Sequence, residues 1–180
     1  QRKGRGRADL EDREMGAERS DRSRFLAASS AIELARPLRD AFNAVALTAP
    51  LDESLKLKKK HMEQALQAYG RAADYGVAQV TTAATFETAD LYYQLSRDLL
   101  ASERPQDLAA DESEQYDVLL EEQAFPFEEK AIDLYRVNAE RVGDGIYDEW
   151  VRASYARLAV MVPARWSRTE RSEDVITTID

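Results

Sequence analysis

His61 is the only histidine, and the chain has no cysteine, so a metal site would rest on His61 or on carboxylates. A helical metal site pairs two histidines at i, i+4, or sets a Glu three residues before a His. Lys58 stands three before His61 and Leu57 four before it. Neither can serve as the second ligand, and Lys59 and Lys60 add charge that opposes a cation. Acid pairs are more plentiful: Asp117 with Glu121, Glu121 beside Glu122, and Glu128 beside Glu129. Such pairs do acid–base chemistry when burial separates their pKa values. On a helix they read as a solvated face, with an acidic patch for a basic partner as the alternative. No G-x-S-x-G elbow presents a nucleophilic serine. Gly143-Asp144-Gly145 lacks the third glycine and the preceding strand of a dinucleotide loop, and reads as a helix stop and restart. The Lys56, Lys58, Lys59, Lys60 cluster reads as solvated lysines, with phosphate or acidic protein as the alternative. The expectation is a protein that is not an enzyme and carries no metal or cofactor.

The elements that hold these residues follow from composition. Seven glycines and five prolines among 180 residues leave few turns, and 28 alanines favour long helices. No run approaches 18 apolar residues, so no membrane span is expected. The net charge of −9 is concentrated: Glu103 to Asp133 holds eleven acids and two bases, which alone makes −9. That balance speaks against nucleic acid as a partner. Gln1 to Arg7 is basic, but no apolar stretch follows to make a signal peptide. The start at Gln1 rather than Met suggests a processed chain or a piece of something longer.

Residues 1–20 alternate Arg with Asp and Glu, and read as a charged, disordered arm or as a helix that needs a partner. A helical domain is expected over 21–168, and a polar, frayed tail over 169–180. Within the domain the apolar spacing predicts six or seven helices and no strands. The first carries Phe25, Ala28, Ile32 and Ala35 on one face, and Pro37 is expected to kink or split it. Asp52 is the expected N-cap of the next, whose stripe is Leu55, Met62, Leu66, Tyr69 and Ala73. Gly76 gives a short turn into an antiparallel partner over 77–102, with Ala84, Thr88, Leu91, Leu95 and Leu99 buried. An acidic helix follows with Tyr116, Leu119, Leu120 and Ala124 apolar, and Pro126 is expected to start another, ending at Val142. Tyr147, Trp150, Val151, Ser154, Leu158 and Met161 mark the last, with Phe125, Phe127, Tyr147 and Trp150 read as core staples across the Pro126 break.

A repeat runs through these helices. Ala31-Ile32-Glu33-Leu34-Ala35-Arg36 is similar to Ala131-Ile132-Asp133-Leu134-Tyr135-Arg136, with Ala65-Leu66-Gln67-Ala68-Tyr69 between them. The leading alanines are 34 and then 66 residues apart, close to one and two periods of the tetratricopeptide repeat (TPR). Small residues let two helices approach, and a large one four positions on fills the gap between units. Ala65, Tyr69 and Ala72 follow that order, while Asn138 stands where a small residue is usual. The fold expected is all-α, with antiparallel helix pairs stacked as a short TPR-like α-solenoid. A plain antiparallel bundle with alanine seams is the alternative.

Longer strings carry a family resemblance over roughly residues 50–168. They are Leu99-Leu100-Ala101-Ser102-Glu103-Arg104-Pro105, Glu121-Glu122-Gln123-Ala124-Phe125-Pro126-Phe127-Glu128-Glu129-Lys130-Ala131-Ile132, Tyr147-Asp148-Glu149-Trp150-Val151 and Pro163-Ala164-Arg165-Trp166. The chain resembles the C-terminal region of bacterial TPR proteins described as components of TonB systems in Gram-negative bacteria. Trp166 stands where that resemblance leads one to expect Tyr. The resemblance implies a periplasmic or envelope-associated protein, with ExbB-, ExbD- or TonB-like or motor components as partners, and no catalytic residues. The function expected is a protein-binding scaffold, with an oligomer-forming subunit of a larger envelope assembly as the alternative. If Tyr92 takes the buried position of a first helix, Asp90, Tyr93, Gln94 and Arg97 lie toward a partner groove.

Overall fold

Met62, Ala65, Tyr69 and Ala72 recur at three and four residues, and together they form the buried face of a helix. It is one of six α-helices in the computed structural model, which describes residues 3–167. They are α1 (Lys3–Asn43), α2 (Leu51–Ala73), α3 (Ala78–Leu100), α4 (Ala110–Glu140), α5 (Glu149–Met161) and the single turn α6 (Pro163–Trp166). No strand occurs among the described residues, so the fold is all-α. Helix α1 takes in the charged segment up to residue 20, residues 20–26 of it are exposed, and Ala28 is buried. The tail at 169–180 lies outside the described residues.

Two prolines lie inside helices rather than at their ends. Pro37 lies inside α1 and does not split it. Pro126 lies inside α4 rather than at the start of a new helix. An internal proline removes one backbone hydrogen bond and costs about 3 kcal/mol. In α4 that cost is offset by one continuous buried face, Leu120, Ala124, Ala131, Tyr135, Asn138 and Ala139, which runs past the proline on both sides. Pro126 itself is exposed, so its ring meets solvent rather than α3. Other details shift too. Asp52 sits within the first turn of α2, and Pro50 holds the cap position. Leu119 and Phe125 face outward, and Tyr147 precedes α5 and is exposed. Phe127 stacks on Tyr92 with ring centroids 6.5 Å apart, and Trp150 meets Phe86 at 5.4 Å. Phe127 and Trp150 therefore pack onto α3 rather than across a break at Pro126, while Phe125 and Tyr147 stay exposed.

Each helix packs on its neighbours in sequence, and α3 also touches α1 and α5. Gly76 adopts φ 67°, a left-handed turn that returns the chain from α2 to α3. Asp148 caps α5 by accepting from the Trp150 and Val151 amides. The core has two main clusters. One joins Ala35 and Phe42 to Met62, Ala65 and Tyr69 and to Leu91, Leu95 and Leu99. The other joins Ala89 to Ala131, Tyr135, Ala139 and Leu158. Tyr92 packs against both. Asn138, fully buried at the crossing of three helices, donates to the Thr82 carbonyl at 3.1 Å and to Ser154 Oγ at 3.0 Å.

Candidate functional site

Gln79, Ala83, Glu87, Asp90, Gln94 and Asp98 follow one another at three or four residues along α3, so they share one face. Three of them are acids, and each acid is held by a cation from a different helix. Arg39 of α1 donates to Glu87 Oε1 at 3.1 Å. Arg157 of α5 donates to Asp90 Oδ1 at 2.7 Å. Lys58 of α2 pairs with Asp98 Oδ2 at 2.7 Å.

Two tyrosines add to this lattice. Tyr69 donates its hydroxyl to Glu87 Oε2 at 3.4 Å, and Tyr135 donates to Asp90 Oδ1 at 3.0 Å. They occupy equivalent places in the repeated strings of α2 and α4. Burial, reinforced by the Glu87 carboxylate, pushes the Tyr69 hydroxyl well above the ordinary phenol range. Burial and then Asp90 do the same to Tyr135. Both hydroxyls therefore stay protonated donors at neutral pH. The arrangement ties α3 to α2 and α4 through hydroxyls that keep their protons near pH 7.

Lys58 was expected among solvated lysines and is instead 1% exposed. Its ammonium donates to the Phe42 carbonyl at 3.0 Å and the Val45 carbonyl at 2.8 Å, and lies 4.3 Å from the Phe42 ring centroid. It thereby donates to two carbonyls at and just past the C-terminal end of α1, where the Phe42 carbonyl otherwise accepts only from the Val45 amide. The signal for this was present: Lys58 falls three after Leu55 and four before Met62, on the apolar face of α2. Lys56, Lys59 and Lys60 are exposed.

Beside the α3 stripe the surface is concave. A cavity of about 260 Å³ has Gln79, Val80, Ala83 and Glu87 of α3 as its floor. Phe25, Ile32 and Arg36 of α1 form one bank, and Glu149 and Trp150 of α5 form the other. A second hollow, about 560 Å³, continues along the same face past Asp90, Gln94 and Asp98 to the loop after α1. Together the two hollows form an interrupted channel along α3: they share no lining residue, and the Arg39–Glu87 and Arg157–Asp90 pairs cross between them.

The four residues singled out by sequence separate here. Asp90 and Gln94 line the channel, Asp90 tied to Tyr135 and Arg157, and Gln94 donating to Asp98 Oδ1 at 2.7 Å. Tyr93 is half-buried beneath the Arg157 guanidinium, 5.3 Å from its ring centroid, and Arg97 is exposed. Glu87, Phe25 and Trp150 complete the channel and were not singled out, because they come from three helices whose packing has no local signature. His61 is half-buried on α2, and no group of three or more His, Cys, Asp or Glu side chains among the described residues could hold a metal ion. No helix among the described residues is long and apolar enough to cross a membrane. Compared with protein-family models, with curated proteins and with solved structures, the chain matches none.

Proposed function

We propose that this chain is a non-catalytic protein-binding scaffold of the bacterial cell envelope, built from TPR-like helix pairs. In this reading it serves a TonB-, ExbB- and ExbD-type energy-transducing or motor complex. The observation that carries the scaffold reading is the interrupted channel over α3: one hollow between α1 and α5 with Phe25, Trp150 and Glu87, and a second beside Asp90 and Asp98. Solenoids of helix pairs present such a concave surface to extended partners. In the TPR-like reading α3 is a first helix, and α2 and α4 carry the second-helix strings. The matching donations of Tyr69 and Tyr135 to α3 support that division, since each tyrosine holds the same place in its repeat. The envelope and its motor components come from the resemblance of residues 99–132 and 147–166 to TonB-system TPR proteins.

Affinity capture with the full chain from a Gram-negative envelope fraction, read by mass spectrometry, tests both parts. The expected catch contains ExbB-, ExbD- or TonB-type components. Phe25→Glu combined with Gln79→Arg, both at the channel and neither buried, should reduce that catch roughly tenfold, a loss of about 1.4 kcal/mol in binding. A catch without such components ends the envelope assignment, and an undiminished catch ends the channel assignment.

A further inference from the structure

We propose that the outward face of the N-terminal half of α4 is a second docking surface, and that its occupant is a basic amphipathic helix of another protein. Helix α5 meets α4 through Leu158 packed with Ala131, Tyr135 and Ala139, all in the C-terminal half of α4. Leu120 and Ala124 turn the N-terminal half inward. Positions 111, 115, 118, 122, 125 and 129 then lie on the opposite side, one above another at three or four residues.

That side is apolar as well as acidic. Val118 is 53% exposed, Leu119 54% and Phe125 58%. Val118 and Leu119 line a shallow depression with Asp111, Glu114, Gln115 and Glu122. Glu129 continues the face one turn beyond Phe125, so four acids share it and no base does. A merely solvated helix face has no need of three large apolar groups. A merely electrostatic patch has none either.

The combination selects its occupant by charge complementarity. Apolar side chains at i, i+3 or i+4, and i+7 would cover Val118, Leu119 and Phe125, and flanking Lys or Arg would meet the acids. From Asp111 to Glu129 the face runs about 27 Å, the length of a helix of about 18 residues. A second copy presenting the same face would set four acids against four acids. An anionic bilayer would be repelled in the same way. This surface lies outside the residues lining the channel over α3, so it stands or falls independently of the function proposed above.

The probe is a fluorescein-labelled synthetic helix of about 18 residues, with leucines on one face and lysines beside them, titrated into the full chain by fluorescence anisotropy. Saturable binding that weakens as salt rises is expected. Val118→Ser with Phe125→Ser, and separately Glu122→Lys, should each weaken it roughly tenfold or more. Glu53→Lys, the same charge change on α2, should leave it within about twofold. All of these side chains are exposed, so helix content by circular dichroism should hold, and Glu122→Lys carries the test if the double variant loses helix. An equal loss with Glu53→Lys would reduce the binding to general attraction and overturn the proposal. So would unaltered binding by the Ser variants. Concentration-dependent dimerisation abolished by the Ser variants would instead assign the face to a second copy.

Discussion

Burying an ammonium group costs several kcal/mol unless hydrogen bonds and an opposite charge replace its water. Lys58 meets that condition with Asp98 and the Phe42 and Val45 carbonyls. Removing it takes a donor from both carbonyls and the counter-charge from a half-buried carboxylate, leaving Asp98 with Gln94 alone. Lys58→Met is therefore expected to lower the unfolding free energy by about 3 kcal/mol in guanidinium titrations. Lys60→Met, on the exposed side of the same helix, should stay within about 0.5 kcal/mol. Tyr69 and Tyr135 give a second prediction at this scale. Their hydroxyls lose a proton less readily when folded than when unfolded. The folded state thus keeps protons that the unfolded state has released, and stability falls as pH rises past the unfolded tyrosine value of about 10. Below that pH their contribution is complete. Urea midpoints followed from neutral pH upward should drop above about pH 10. In the double variant Tyr69→Phe, Tyr135→Phe that drop should be shallower, and an identical drop would show that other groups govern it.

At the scale of the element, α4 shows when burial overrides a local rule. The helix is about 46 Å long and crosses Pro126 without a break. Pro126→Ala restores a backbone donor at an exposed position, and is expected to raise the unfolding free energy by about 1–3 kcal/mol, read from the thermal midpoint. A lower midpoint would mean that the packing of α4 depends on a bend at the proline. Legibility from sequence divides along the same line. Helices α2 and α3, with the Gly76 turn between them, were readable because their apolar spacing and the glycine are local signals. The continuity of α1 and α4 was not, because proline's cost is local while the compensating contacts come from distant helices. Lys58 was misread because three solvated lysines surround it in sequence. Half of the channel was legible for a similar reason. Asp90 and Gln94 follow from the face of α3, whereas Phe25 and Trp150 arrive only when α1 and α5 pack beside it.

For the whole molecule, two core clusters raise the question of how many units unfold. Trp166 packs against the second cluster and Trp150 meets the Phe86 ring at a tilt, Phe86 bordering that same cluster. Tryptophan emission therefore reports the α3–α5 side, while far-ultraviolet dichroism reports every helix. Because Tyr92 packs against both clusters, the two signals are expected to share one denaturation midpoint. Tyr92→Ala should pull those midpoints apart. Coincident midpoints in that variant would mean that the remaining α3 and α4 contacts alone keep the halves coupled. The anchoring of α3 has a further consequence. Rolling this helix about its axis would sever its ties to Arg39, Arg157, Lys58 and two tyrosines at once. The middle helix is in effect a keyed shaft. Any adjustment to the shape of the proposed partner must come from its flanking neighbours, so a change of partner preference is expected from altering α1 or α5 while leaving the spindle between them alone.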